Sequence, residues 1–169
     1  MLSESARMSS AGEARFRIDA PNSKPRHIKV IALDGTSEAV VKNLAERRWS
    51  NASFFTASAF AGTPPEADFS MPGWLSDLAG RTKDLLDEVG AADLVVMVAR
   101  AGENAQAAAL IGEACSLKRV NTTALILGGV SATDEMLSRT LSQLRPWSLM
   151  LVIANREDYI EDMLLALRA

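Results

Sequence analysis

Apolar residues along this chain follow two alternating rhythms. Short, nearly unbroken apolar runs, at Ile28–Leu33, Ala52–Ser58, Leu94–Ala99, Thr123–Leu127 and Leu149–Ala154, read as strands. After most of them apolar residues return at spacings of three and four, which is the period of a helix with one buried face. These sets are Val40, Val41, Leu44 and Ala45; Ala107, Leu110, Ile111, Ala114 and Leu117; Leu137, Leu141 and Leu144; and Ile160, Met163, Leu164 and Leu167. Trp74, Leu75, Leu78, Leu85, Leu86 and Val89 predict one more amphipathic helix, stopping near Gly90. Leu94–Ala99 is apolar at every position, as expected of a central strand covered on both faces.

Strands alternating with helices of this length predict an α/β fold, three-layered and doubly wound. The expected sheet is mainly parallel, with five or six strands and helices on both faces, of Rossmann-like type. The first two runs are expected to be parallel neighbours joined by a right-handed crossover. Residues 1–26 are polar, rich in Ser and Ala and broken by Pro21 and Pro25, so they read as a flexible arm before one domain at 27–169. Residues 60–73 hold three of the six prolines and read as the longest internal loop, with room for a brief strand at Ala67–Ser70.

Composition adds limits. Hydrophobic residues make up 48% of the 169 and charged residues 23%, the balance of a soluble globular chain. No apolar run approaches the roughly 18 residues of a membrane span. The start of the chain lacks the apolar core of a secretory leader, so a cytoplasmic location is expected. The net charge of −3 hides an asymmetry: residues 1–26 carry five Lys/Arg against three acids, leaving the body at −5, which disfavours a nucleic-acid groove. Cys115 is the only cysteine, which excludes an internal disulfide.

In such sheets ligands bind beyond the carboxyl ends of the strands, where the strand order reverses. The turns at those ends supply the candidate site: Asp34, Gly35, Thr36 and Ser37; Arg100, Gly102, Glu103 and Asn104; Gly128 and Gly129; and Asn155. Neither G-x-x-x-x-G-K-[ST] nor G-x-G-x-x-G occurs. Leu33-Asp34-Gly35-Thr36 resembles the D-x-D-G-T loop of haloacid-dehalogenase phosphatases, but the nucleophilic aspartate would fall at Ala32. The plain reading of Asp34–Ser37 is a strand-to-helix turn with a hydroxyl N-cap. His27 is the sole histidine and precedes the first strand, away from that crevice, which removes His-based triads and leaves no set of residues for zinc. Cys115 reads as a small packing residue. The acids at 84–88 and 157–162 read as solvated helix faces, and Trp49, Trp74 and Trp147 as anchors, with Trp74 the one placed to line a pocket.

With the strands placed, the chain from His27 to about Ile160 resembles the nucleotide-binding domain of the tubulin/FtsZ superfamily. HIKVIALDGTSEAVVKNL is similar to that family's first strand, glycine loop and helix, DLVVMVARAGENAQAAALIGEA to the strand and signature loop, and LRPWSLMLVIANREDYI to the sixth strand with its terminal Asn. The family's G-G-G-T-G-T-G falls on Gly102-Glu103-Asn104-Ala105-Gln106-Ala107-Ala108, where only Gly102 is kept. Those glycines let backbone amides wrap phosphates, and here Glu103 brings a negative charge into the same space. The family's base-contacting asparagine falls at Glu38, while Asn155 matches the second such position. The resemblance implies a domain without the hydrolytic apparatus, since the family's central helix and C-terminal domain have no counterpart in the sequence.

Three function classes follow. The first is a non-catalytic FtsZ-like binding or interaction domain that has lost GTPase capability, with a protein partner or self-association through an exposed sheet edge. The alternative is a divergent nucleotide or small-anion binder using the amides after Gly35 and Ala99, the Thr36 and Ser37 hydroxyls and Arg100. The third is an enzyme of another kind, assembled from Asp34, Ser37, Arg100 and Glu103. No metal, nucleic acid or membrane is expected as partner, and a nucleotide is the one cofactor left open.

Overall fold

The computed structural model describes residues 24–58 and 75–169. In chain order they form β1 (Ile28–Ala32), α1 (Gly35–Ala45), β2 (Ala52–Thr56), β3 (Leu75–Asp77), β4 (Thr82–Lys83), α2 (Leu85–Gly90) and β5 (Leu94–Arg100). There follow α3 (Ala107–Lys118), β6 (Asn121–Leu127), α4 (Asp134–Leu144), a 3-10 turn (Arg145–Trp147), β7 (Met150–Ala154) and α5 (Tyr159–Ala166). The strands make one sheet in the order β4-β3-β2-β1-β5-β6-β7. β2, β1, β5, β6 and β7 run parallel, and β3 and β4 add a short antiparallel edge. The fold is therefore α/β and mainly parallel, as the alternation of periods predicts, with seven strands rather than five or six.

The three layers follow from side-chain alternation. Along β5, Val95, Met97 and Ala99 enter one core while Leu94, Val96 and Val98 enter the other, so both faces of the central strand are covered. The first core also takes Leu85 and Val89 of α2, Ala107, Ala108, Ile111 and Ala114 of α3, and Leu144 of α4. The second takes Val41 and Leu44 of α1 with Ile160 and Leu164 of α5. Each such Leu, Ile or Val contributes about 1.5–3 kcal/mol by leaving water. The alanines of α3 let its backbone lie close to the sheet. Cys115 is buried among them as a packing residue.

The helix expected from Trp74 to Val89 is not a single helix. Leu75 joins the first core and Leu78 packs against the second, on opposite sides of the sheet, so their spacing marks no common helical face. Asp77 breaks the run. Its carboxylate accepts the N–H groups of Ala79 and Arg81 at 3.0 and 2.9 Å and the Arg81 Nε–H at 2.7 Å, closing the turn between β3 and β4. The helical part starts only at Asp84, whose side chain accepts the N–H groups of Leu86 and Asp87 and caps α2. Asp84 is thus a cap and not part of a solvated face. The expectations for residues 1–23, the 60–73 loop and Trp74 lie outside the described residues.

Candidate functional site

The chain builds β1, steps outward to β2, β3 and β4, then returns to place β5 on the other side of β1. The reversal of order therefore falls between β1 and β5, and the crevice above their carboxyl ends is where such folds hold ligands. Asp34, Gly35, Thr36 and Ser37 leave β1 there, and Arg100 ends β5.

Asp34 occupies that crevice. It is 3% exposed, and its two carboxylate oxygens are divided between the two strand exits. Oδ1 accepts the N–H of Ser37 at 2.7 Å, capping α1, and Oδ2 accepts the N–H of Arg100 at 2.9 Å. The Ser37 hydroxyl, fully buried, accepts the N–H of Asp34 at 3.3 Å and lies 3.0 Å from the carbonyl oxygen of Val98 and 3.1 Å from that of Asp34. The reciprocal pair is a capping box. The expected hydroxyl N-cap is thus a carboxylate, with the hydroxyl as its answering partner. The Asp34 carboxylate thus gathers two backbone amides, one from each strand exit.

The loop after β5 is held to α4. The N–H of Gly102 donates to the Thr140 hydroxyl at 3.0 Å, and the N–H of Ala105 to the Gln143 side-chain oxygen at 2.8 Å. Asn104 turns its own side-chain oxygen to the N–H of Gln106 at 3.0 Å. Thr140 is fully buried, and its hydroxyl donates to the Met136 carbonyl oxygen at 3.3 Å. Thr140 and Gln143 were not among the sequence candidates. Their signal is a hydroxyl and an amide three residues apart, interleaved with Leu137, Leu141 and Leu144.

The remaining candidates are only partly brought together. The Arg100 side chain lies over Gly128, whose φ of 75° suits a residue without Cβ, and pairs with Glu157 at 3.6 Å. Gly129 sits against Ile153 with the Asn155 side-chain oxygen beside it, and Asn155 itself is exposed. Gly35 and Thr36 are exposed in the first turn of α1. Glu103 is exposed as well, and among the described residues no hydrogen bond or ion pair joins its side chain to Asp34, Ser37 or Arg100. The carboxylate that fills the crevice is Asp34, not Glu103 as the resemblance implied, and the group of four required for the enzyme reading is not assembled.

Glu38, the position of the family's base-contacting asparagine, faces the end of β2. Its carboxylate accepts from the hydroxyls of Thr56, at 3.0 Å, and Ser58, and pairs with Lys42 at 2.6 Å. The Lys42 contact first, then the two hydroxyls, hold this carboxyl below the ordinary range against the opposing effect of burial. At the other end of the sheet, the N–H of His27 donates to Asp93 at 2.8 Å, leaving the sole histidine beyond the amino ends of the strands. Among the described residues no three His, Cys, Asp or Glu side chains come together as a metal-binding group, and no helix is long and apolar enough to cross a membrane.

No protein-family model and no curated protein sequence matches the chain. Among solved structures, translation elongation factor SelB from Methanococcus maripaludis in complex with the GTP analogue GppNHp aligns with 88% of this chain at 10% identity and a TM-score of 0.44. The apo form of the same factor aligns with 82% of the chain at 10% identity and a TM-score of 0.38. The chain spans about a third of the length of those SelB chains, with 34% and 33% covered.

Proposed function

We propose that this chain is a non-catalytic α/β interaction domain, of the FtsZ-like kind its sequence resembles, in which the nucleotide crevice is closed from within. The observation that carries this reading is the Asp34 carboxylate bridging the N–H groups of Ser37 and Arg100. The amides of Gly102 and Ala105 support it, because they are satisfied by Thr140 and Gln143 and are not turned toward a common centre. An incoming phosphate would have to displace a buried carboxylate of its own sign and break hydrogen bonds worth about 1.5–3 kcal/mol each for a charged acceptor. The protein works by contact with a macromolecule, in this reading, and its turns at the strand ends are structural.

The test is calorimetric titration of the full chain with GTP, ATP, NAD and inorganic phosphate at millimolar concentration, alongside a GTP hydrolysis assay. Absence of both heat and turnover is the expected result. Saturable heat with any nucleotide, lost on substitution of Arg100, would replace this reading with a divergent nucleotide binder.

A further inference from the structure

Among the described residues the two edges of the sheet are unlike each other. At one end β4 is only two residues long and carries Lys83, which are common ways of discouraging strand addition. At the other end β7 is five residues long, Met-Leu-Val-Ile-Ala, with no charge and no proline. Leu149 is 76% exposed, Met150 49% and Ile153 42%, so the apolar surface continues along the strand. Alternate residues of an edge strand also turn backbone N–H and C=O groups outward.

We propose that β7 pairs antiparallel with β7 of a second copy about a two-fold axis near Val152, continuing the sheet through both molecules. This deepens the interaction-domain reading by naming the partner. The axis sets Leu151 opposite Ile153 of the other copy and Met150 opposite Ala154. Side chains at the first pair lie on the α4 side of the sheet and those at the second on the α5 side, because Leu151 packs into the first core and Val152 and Ala154 into the second. Charge selects the direction. Arg145, just before β7, is exposed and enters no ion pair among the described residues; Asp162, in the first turn of α5 beyond the far end of β7, is also exposed and in none. An antiparallel pair carries each Arg145 toward the Asp162 end of the other copy, twice over; Glu157 and Asp158 at that end already pair with Arg100 and Arg156. A parallel pair would set arginine against arginine and acid against acid. The interface is isologous, so it closes at two copies.

Light scattering and sedimentation of the full chain over a wide concentration range provide the test. The expected mass is twice the 18.1 kDa of one chain, falling toward that value on dilution. Combining Met150→Lys with Ile153→Lys should abolish the dimer while circular dichroism keeps the native spectrum, since each side chain is nearly half in water already. Arg145→Glu or Asp162→Lys alone should lower the association constant by about tenfold, two pairs being lost at once, and the two together should restore it. Val152→Cys should form an intermolecular disulfide under oxidation, because only a residue on the axis meets its own copy. A monomer at every concentration overturns the proposal, as does a dimer that survives both lysines. The outcomes separate from those of the preceding reading: a monomer that gives no heat with nucleotides removes this interface alone, whereas nucleotide heat from an intact dimer removes the closed crevice alone.

Discussion

The Asp34 carboxylate accepts the backbone N–H of Arg100 at 2.9 Å, joining the exit of β1 to the exit of β5 across 66 residues of sequence. The same side chain caps α1 through Ser37. Replacing it with alanine removes a helix cap and leaves a strand-end N–H without its charged acceptor. Asp34→Ala should lower stability by about 2–4 kcal/mol in urea unfolding. It should also vacate an anion site: phosphate at millimolar concentration should raise the melting temperature of Asp34→Ala and leave the native chain unmoved. Equal responses from the two proteins would show that Asp34 is not the occupant of that site.

Glu38 makes stability depend on acid. Its carboxyl is held below the ordinary value near 4.5, first by Lys42 and then by Ser58 and Thr56. A group whose folded pKa is depressed stabilises the fold above its unfolded pKa, and that contribution disappears as pH falls through the folded value. The urea midpoint should therefore drop as pH falls from 4.5. Glu38→Gln should be less stable than the native chain at pH 7, with a flatter profile below 4.5.

Trp147 rests directly on α3 at Gly112. A Cβ at that position would lie 2.6 Å from the Trp147 Cβ and 2.7 Å from its ring. Gly112→Ala should cost about 1–3 kcal/mol through overpacking, even though alanine favours helices. A rise in thermal stability would mean that the 3-10 turn carrying Trp147 is free to move away.

Cys115 should be chemically silent in the folded chain. It is 1% exposed, and burial pushes its thiol up to about 12. At pH 8 an aromatic disulfide reagent should titrate no thiol until denaturant is added, when one equivalent should react. Rapid reaction without denaturant would indicate that α3 opens locally.

The fold was legible because each apolar run had one period: Leu94–Ala99 reads as a strand covered on both faces, and it is one. The failure at Leu75–Leu78 has a physical cause. Two leucines three apart suggest a helix whatever lies between, while Asp77, which makes the turn, shows its role only through N–H groups that fold back on it. At the candidate turn after β1 the plain reading, a capped strand-to-helix turn, was legible, but which side chain makes the cap was not. The strand ends bring Asp34, Ser37 and Arg100 together as the topology requires, yet nothing in Asp34-Gly35-Thr36-Ser37 tells a capping carboxylate from a ligand-binding one until the Arg100 amide is placed beside it. Thr140 and Gln143 were hidden in the amphipathic pattern of α4, where polar residues normally face water.

β1 comes early in the chain and lies in the interior of the sheet, and that order has a cost during synthesis. Ile28, Val30 and Ile31 are fully buried in the finished fold, but one flank of their strand pairs with β2 and the other only with β5, in the register Ile28 to Leu94. At ordinary translation speeds those 66 residues take about 3–13 s to appear, and for that time one flank of this buried strand stays open to other chains.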